Sequence, residues 1–305
     1  MAWHGLGWRP AAFSEIEQFP SAVLAHHYPE VPNVGDMTKY REWDIGAIDL
    51  LVGGTPCQSF SVAGLRKGLA DPRGNLALVY LGIADLFKPK WIVWENVSGV
   101  LSSAGGRDFG SFLGALAELG YGFSYRVLDA QWFGVAQRRR RVFVVGHLGD
   151  WRPAAAVLFE RESLRRDTAP SRKAGQRVAP TVVQGPPYSR TGNERVECEA
   201  IVAQPVAPAL TASNDPSRSP QSSEVTQQVA AVHTASMAVR RLTPVECERL
   251  QGFPDNYTQI AWKKSTPTNC PDGPRYKALG NSMAVPVMRW IGERMDAVAN
   301  NVGGH

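Results

Sequence analysis

Three places in the sequence combine residue types that could do covalent chemistry. Cys57 stands directly after Pro56 in "GGTPCQSFS", where two glycines and the proline shape a tight turn and Gln58, Ser59 and Ser61 follow as polar residues. A lone cysteine is either a small packed side chain or a nucleophile. In the second role it acts as the thiolate, whose reference pKa of about 8.5 calls for nearby positive charge or a bound electrophile. Glu95 closes the apolar run "WIVWENV". It is either a solvated strand end or a half-buried acid with a raised pKa, able to donate a proton or hydrogen bond to a ring nitrogen. "AQRRRRVF" places Arg138, Arg139, Arg140 and Arg141 at the start of an apolar stretch. A solvated charge run is the ordinary explanation. On a strand, however, Arg139 and Arg141 share one face and Arg138 and Arg140 the other, so one pair can enter a site while the second meets solvent or phosphate.

The elements that must position these groups alternate between strand and helix. "AIDLLVGG" ends in glycines and reads as a buried strand, with Cys57 just beyond its end. Leu76, Val79, Tyr80, Ile83, Leu86 and Phe87 recur at helical spacing, and Pro89 stops that helix. "KWIVWENV" is a second strand. Phe109, Phe112, Leu113, Leu116 and Leu119 mark a helix closed by Gly120, and "GFSYRVLDA" and "RRVFVVGHL" supply further strands. Alternation of this kind predicts a mostly parallel sheet covered by helices, with ligands at the carboxyl ends of its strands. Periodicity fades from residue 149 to 238, where Pro, Ser, Thr, Ala and Gln dominate, and composition there favours an irregular insertion. It returns at "RRLTPVECERLQGFPD", in which Thr243, Pro244 and Glu246 form an N-cap, a first-turn proline and a capping box. A last helix carries Val285, Met288, Ile291, Met295 and Val298 on one side.

Bulk properties agree with a globular protein. A chain of 305 residues with 44% hydrophobic content can bury a substantial core. It has no apolar run of about eighteen residues and no leader, so it reads as cytoplasmic, without a membrane partner. The four cysteines are isolated, which argues against a structural metal site and a disulfide framework. A net charge of +5 is compatible with a polyanionic partner.

"GGTPCQSFS", "WENV", "QRRRR", "RRLTPVECERLQGFPD" and "YKALGNSMAVP" follow one another from Gly53 to Pro286. In that order they resemble the DNA (cytosine-5)-methyltransferase family, bacterial and prophage type. The resemblance implies a Rossmann-like α/β sheet dependent on S-adenosylmethionine. The catalytic body covers 1–148, a smaller irregular target-recognition region 149–238, and a helical return 239–305. It also implies a chemistry. Carbon 5 of cytosine is a poor nucleophile until something adds to carbon 6, and Cys57 takes that role. Glu95 engages ring nitrogen 3 and the amino group, Arg141 the carbonyl oxygen, and Arg139 braces the site. The base must leave the helix to be reached, at a cost of a few kcal/mol.

The resemblance assigns the ribose hydroxyls of S-adenosylmethionine to Glu15, the adenine face to Ile16 and the adenine amino group to Asp36. Met37, Pro56, Leu76, Asn281 and Ser282 line the rest of that pocket. DNA contacts fall on Gln58, Ser61, Arg66, Lys67 and Gln137, with residues 59–75 as a loop closing over the base. The partners implied are double-stranded DNA and a cognate restriction endonuclease, for a monomeric enzyme without metal. The family's opening strand and aromatic-x-Gly-x-Gly turn have no counterpart here: fourteen residues precede Glu15, and "HGLGWRP" matches the tail of the following helix. The expected sheet is therefore N-terminally truncated. Alternatives are a catalytically impaired remnant that only binds DNA, and a cytosine-5 RNA methyltransferase.

Overall fold

A computed structural model describes residues 1–55, 76–159, 231–233 and 239–302. Its centre is a four-stranded sheet of β1 (Leu50–Gly54), β2 (Trp91–Val97), β3 (Tyr121–Asp129) and β4 (Arg140–Leu148), in the order β1-β2-β4-β3. β2 is buried from Trp91 to Asn96, as a central strand covered on both faces must be. Alternate residues feed two apolar layers. Ile92, Trp94, Val142 and Val144 pack under α2 (Leu76–Phe87) and α3 (Arg107–Glu118). Trp91, Val93, Phe143 and Val145 pack under α4 (Trp151–Leu158) and the C-terminal helix α7 (Val285–Val302).

Three of the four strands share one direction, as expected of a mostly parallel sheet, and one departs from it. β1, β2 and β3 all run one way, β1 and β2 pairing in parallel, and β4 alone is reversed, antiparallel to both β2 and β3. The reason lies in the connection after Asp129. A parallel return needs a crossover of a dozen residues or more, usually a helix. Here the connection is residues 130–139, with no helix beyond the 3-10 turn Ala130–Phe133, and the chain returns antiparallel beside β3. The packed body also extends past the expected boundary at residue 148, because Ala154, Val157 and Leu158 of α4 are fully buried against the sheet. Residues 160–230 and 234–238, most of the expected recognition region, lie outside the described residues. A short antiparallel pair, β5 (Ala231–His233) and β6 (Val239–Arg241), leads into the helical return.

Local signals set the helices where they were expected. Gly120 adopts φ 89° after α3, and its N–H bonds to the Ala117 carbonyl. The helix α5 (Pro244–Gln251) opens with a complete capping box between Thr243 and Glu246 and ends at Gly252 with φ 78°. Three helices went unforeseen: α4, the helix Asp272–Asn281, and α1 (Gln18–His27), which buries only Phe19 and Val23 and carries Pro20 in its first turn. Residues 1–7 are turns rather than helix, and Trp3 donates its indole N–H to the Met288 carbonyl of α7 at 2.5 Å.

The return is tied down by a buried ion pair. Arg275 of α6 (Asp272–Asn281) approaches the fully buried Glu248 of α5 at 3.2 Å, and the same carboxylate accepts the Asn256 and Thr258 amides. Gln251 adds a bond from its side-chain amide to the Leu279 carbonyl, 2.9 Å. Together these fix the turn after α6, which faces the strand ends. Among the described residues no helix is long and apolar enough to cross a membrane.

Candidate active site

The ends of β1 and β2 lie side by side, with Gly54 in register with Glu95. Glu95 is 9% exposed. Its Oε1 lies 3.3 Å from Arg141 Nε and 3.8 Å from Arg139 Nη2, yet accepts no hydrogen bond. Burial pushes the Glu95 carboxyl above its ordinary range, and the two guanidiniums only partly offset this. Burial likewise pulls Arg139 down to about 10 and lowers Arg141, so both remain cationic at neutral pH. The result is a protonatable carboxyl with an orphaned buried oxygen, held between two cations. A ligand bearing a ring nitrogen and an amino group would satisfy that oxygen.

Glycine at position 54 leaves room for the acid, since a Cβ there would stand 3.2 Å from Glu95 Oε2. Beyond it Thr55 is buried and held from β2 on both sides of Glu95 in sequence. Trp94 Nε1 donates to its Oγ1 at 3.1 Å, and Asn96 Nδ2 donates to its carbonyl at 2.9 Å. Strand periodicity explains the arrangement: Glu95 points to one face while Trp94 and Asn96 point to the other. The next residues, Pro56, Cys57, Gln58, Ser61, Arg66 and Lys67, lie outside the described residues.

The arginine run divides as strand alternation predicts. Arg139 is buried, and its guanidinium donates to the Ser282 carbonyl at 2.8 Å and the Gly280 carbonyl at 3.4 Å. Its own N–H donates to Asp129 Oδ1, 2.9 Å. Arg141 donates from Nη1 to the Arg140 carbonyl at 2.9 Å. Arg138 and Arg140 are exposed. Gln137 is 0% exposed and neither atom of its amide has a partner. Asp129, Thr55, Trp94 and Asn96 were not foreseen as site residues. The available signal was the alternation in "WENV" for the last two and a strand-ending acid for Asp129.

Of the residues expected to hold the cofactor, Glu15, Ile16 and Asp36 lie on two adjoining segments. Phe13 and Asn33 form a parallel bridge, and Asn33 clasps Glu15 by accepting its N–H at 3.0 Å and donating to its carbonyl at 2.9 Å. Ser14 reaches the Gly35 carbonyl at 2.6 Å, which sets Glu15 and Ile16 next to the segment that carries Asp36. Ile16 is 72% exposed, an open aliphatic face suited to a flat ring. Glu15 spends one carboxylate oxygen on the Glu17 N–H, and Asp36 caps the 3-10 turn Met37–Glu42 by accepting from Thr38. That amide bond holds the Asp36 carboxyl below its usual range. Met37 and Leu76 are partly buried and pack with Tyr40, Val79 and Ile83. Asn281 is exposed at the end of α6, and Ser282 lends its carbonyl to Arg139. Two acids beside an exposed aliphatic side chain fit a positively charged nucleoside.

A family model described as C-5 cytosine-specific DNA methylase matches residues 1–297. Type II methyltransferase M.SsoII of Shigella sonnei is 31% identical over 296 residues, covering 92% of this chain and 72% of that protein. A protein of Escherichia phage P1 named DNA N-6-adenine-methyltransferase is 36% identical over 446 aligned residues, covering 97% of this chain. The chain spans 59% of that relative's length, and 33% of the length of the orphan methyltransferase M.SPRI of Bacillus phage SPR. The crystal structure of S. pombe Dnmt2 methyltransferase superposes with a TM-score of 0.61, covering 99% of this chain and 94% of the other at 17% identity. That likeness shows the shared methyltransferase fold. With residues 1–297 matched, the chain belongs to the C-5 cytosine-specific DNA methylase family.

Proposed function

We propose that this chain methylates carbon 5 of cytosine in double-stranded DNA, with S-adenosylmethionine supplying the methyl group. The observation that carries this reading is the buried Glu95, its pKa raised and its Oε1 unsatisfied between Arg139 and Arg141. Thr55 is pinned to the same strand, and Cys57 follows two residues on, at most about 7 Å of extended chain.

With the base flipped into the site, the Cys57 thiolate adds to carbon 6, and Glu95 gives its proton to ring nitrogen 3. Arg141 holds the carbonyl oxygen, where negative charge gathers, and Arg139 braces Arg141 and Glu95 from its anchors on Ser282 and Gly280. After carbon 5 has taken up the methyl group, its proton leaves to solvent. The thiolate is then expelled from carbon 6, and Glu95 recovers its proton from nitrogen 3. Glu15, Ile16 and Asp36 hold the methyl donor, together with Met37, Pro56, Leu76, Asn281 and Ser282. Gln58, Ser61, Arg66 and Lys67 contact DNA, whereas Gln137, expected among them, is fully buried. The protein works as a cytoplasmic monomer, with a restriction endonuclease of the same specificity as its counterpart.

Duplex DNA carrying 5-fluorocytosine tests the covalent step, because fluorine on carbon 5 leaves no proton to eliminate and the adduct persists. A denaturation-stable complex with the full chain, absent for Cys57→Ser, is the expected result. Retained methyl transfer by Cys57→Ser would sink the assignment. The name of the phage P1 relative favours a second reading, methylation of adenine N6. That name describes a protein of which the match covers 59%, and an adenine amino group attacks a methyl donor without a thiol. Nucleoside analysis of the product distinguishes 5-methylcytosine from N6-methyladenine.

A further inference from the structure

Arg140, the first residue of β4, and Arg138, two residues before it, are exposed and alternate with Arg139 and Arg141, which build the site. Neither exposed arginine has an acidic partner among the described residues. The backbone of Arg140 is held. The Arg140 carbonyl accepts from Arg141 Nη1 at 2.9 Å and from Ser98 Oγ at 3.4 Å, and Arg140 lies opposite Asp129 in the β3–β4 ladder. Asp129 does not neutralise them, because its carboxylate is buried and engaged by the Arg139 N–H and by Gln131. The same hairpin end carries Trp132, 61% exposed although it follows the pinned Gln131 and precedes Phe133, whose ring meets Trp290 at 5.5 Å. A large indole held out to solvent beside two guanidiniums without acidic partners has the composition of a nucleic-acid contact, phosphates for the cations and a base face for the ring.

We propose that Arg138, Arg140 and Trp132 form a DNA-binding ledge beside the Glu95 site. The arginines take backbone phosphates of the strand that carries the target nucleotide, and the indole stacks on a base of that strand. The ledge rests on the function proposed above and adds to it the residues that grip the DNA backbone.

The test measures binding of the full chain to a cytosine-containing duplex across a range of salt. Arg138→Gln with Arg140→Gln should weaken binding and flatten the slope of log affinity against log salt by roughly 1.8, about 0.9 for each phosphate no longer neutralised. Trp132→Ala should weaken binding roughly tenfold with the slope unchanged, as removal of a stacking partner does. Arg152→Gln is the control, since Arg152 is exposed in α4, which follows the opposite end of β4 from Arg140, and is paired with Asp150. It should leave slope and affinity at their original values. Thermal midpoints verify that each variant folds. A double arginine variant with the original slope, or a tryptophan variant with the original affinity, overturns the ledge while the methylation reading stands. A chain that binds no DNA at low salt overturns both.

Discussion

The side-chain amide of Asn96 donates to the main-chain carbonyl of Thr55 at 2.9 Å, joining the strand that bears Glu95 to the last described residue before Pro56 and Cys57. The same amide accepts the Val97 N–H at 2.8 Å, so both its ends are used. Replacing Asn96 with Ala leaves the buried Thr55 carbonyl without its donor, a loss of about 1–3 kcal/mol. Urea unfolding should show that loss. Methyl transfer should fall further than the folded fraction does, because Thr55 no longer fixes the chain leading to Cys57. Activity that merely tracks the folded fraction would reduce Asn96 to a structural bond.

Two glycines separate a chemical effect from a packing effect. At Gly54 an added Cβ meets Glu95 Oε2 at 3.2 Å, which a small shift of the carboxyl relieves, while the Glu95 carbonyl oxygen at 3.4 Å and Met283 Cε at 3.5 Å are ordinary van der Waals neighbours. Gly54→Ala should therefore stay folded while losing most of its turnover. At Gly82 the added atom would stand 2.5 Å from the Tyr40 hydroxyl, inside a buried cluster with Val79 and Ile83. Gly82→Ala should destabilise by about 1–3 kcal/mol, as overpacking does, with turnover per folded molecule retained. Thermal denaturation beside a turnover assay checks both, and a reversed pattern would show that Gly54 serves the sheet rather than the acid.

What could be read from the chain follows from the range of each interaction. The capping box at Thr243, the glycine stop at Gly120 and the inward pairing of Arg139 with Arg141 rest on neighbours within a few residues, and all were legible. The reversal of β4 was not, because β4 pairs with two strands and only the lack of a crossover helix after Asp129 betrays it. The anchor of Arg139 was equally hidden: its acceptors, the Gly280 and Ser282 carbonyls, lie 141 and 143 residues away. Thr55 reads as an ordinary turn residue until β1 and β2 are aligned and Trp94 and Asn96 close on it. Helix α1 escaped notice because two buried residues do not make an apolar stripe.

The raised pKa of Glu95 makes a statement about stability. A carboxyl protonated more readily in the folded than in the unfolded state adds stability at low pH. That contribution is lost as pH rises from the ordinary glutamate range through the higher folded value. Glu95→Gln has no charge to desolvate and no such dependence. The stability of the unaltered chain relative to Glu95→Gln should accordingly decline between pH 4.5 and neutrality. Urea titrations of both proteins at several pH values measure the difference. A gap that widens with pH in favour of the unaltered chain would mean that Arg139 and Arg141 outweigh burial and hold the acid ionised.

Ile16 offers the sharpest test of where the methyl donor is held. At 72% exposure it contributes little to the fold, so Ile16→Asp should change stability by no more than about 0.5 kcal/mol. If the side chain covers the adenine ring, the substitution removes apolar burial worth about 1.5 kcal/mol, roughly a tenfold loss of S-adenosylmethionine affinity. It also adds a third carboxylate beside Glu15 and Asp36, which attracts the sulfonium charge without replacing the missing apolar surface. Adenosine has no sulfonium charge and separates the two effects, so its binding should weaken at least as much as that of S-adenosylmethionine. Calorimetry with both ligands, on a chain whose thermal midpoint is unchanged, reads the outcome directly. Equal affinities before and after substitution would move the adenine site away from Ile16. The exposed isoleucine would then need another partner.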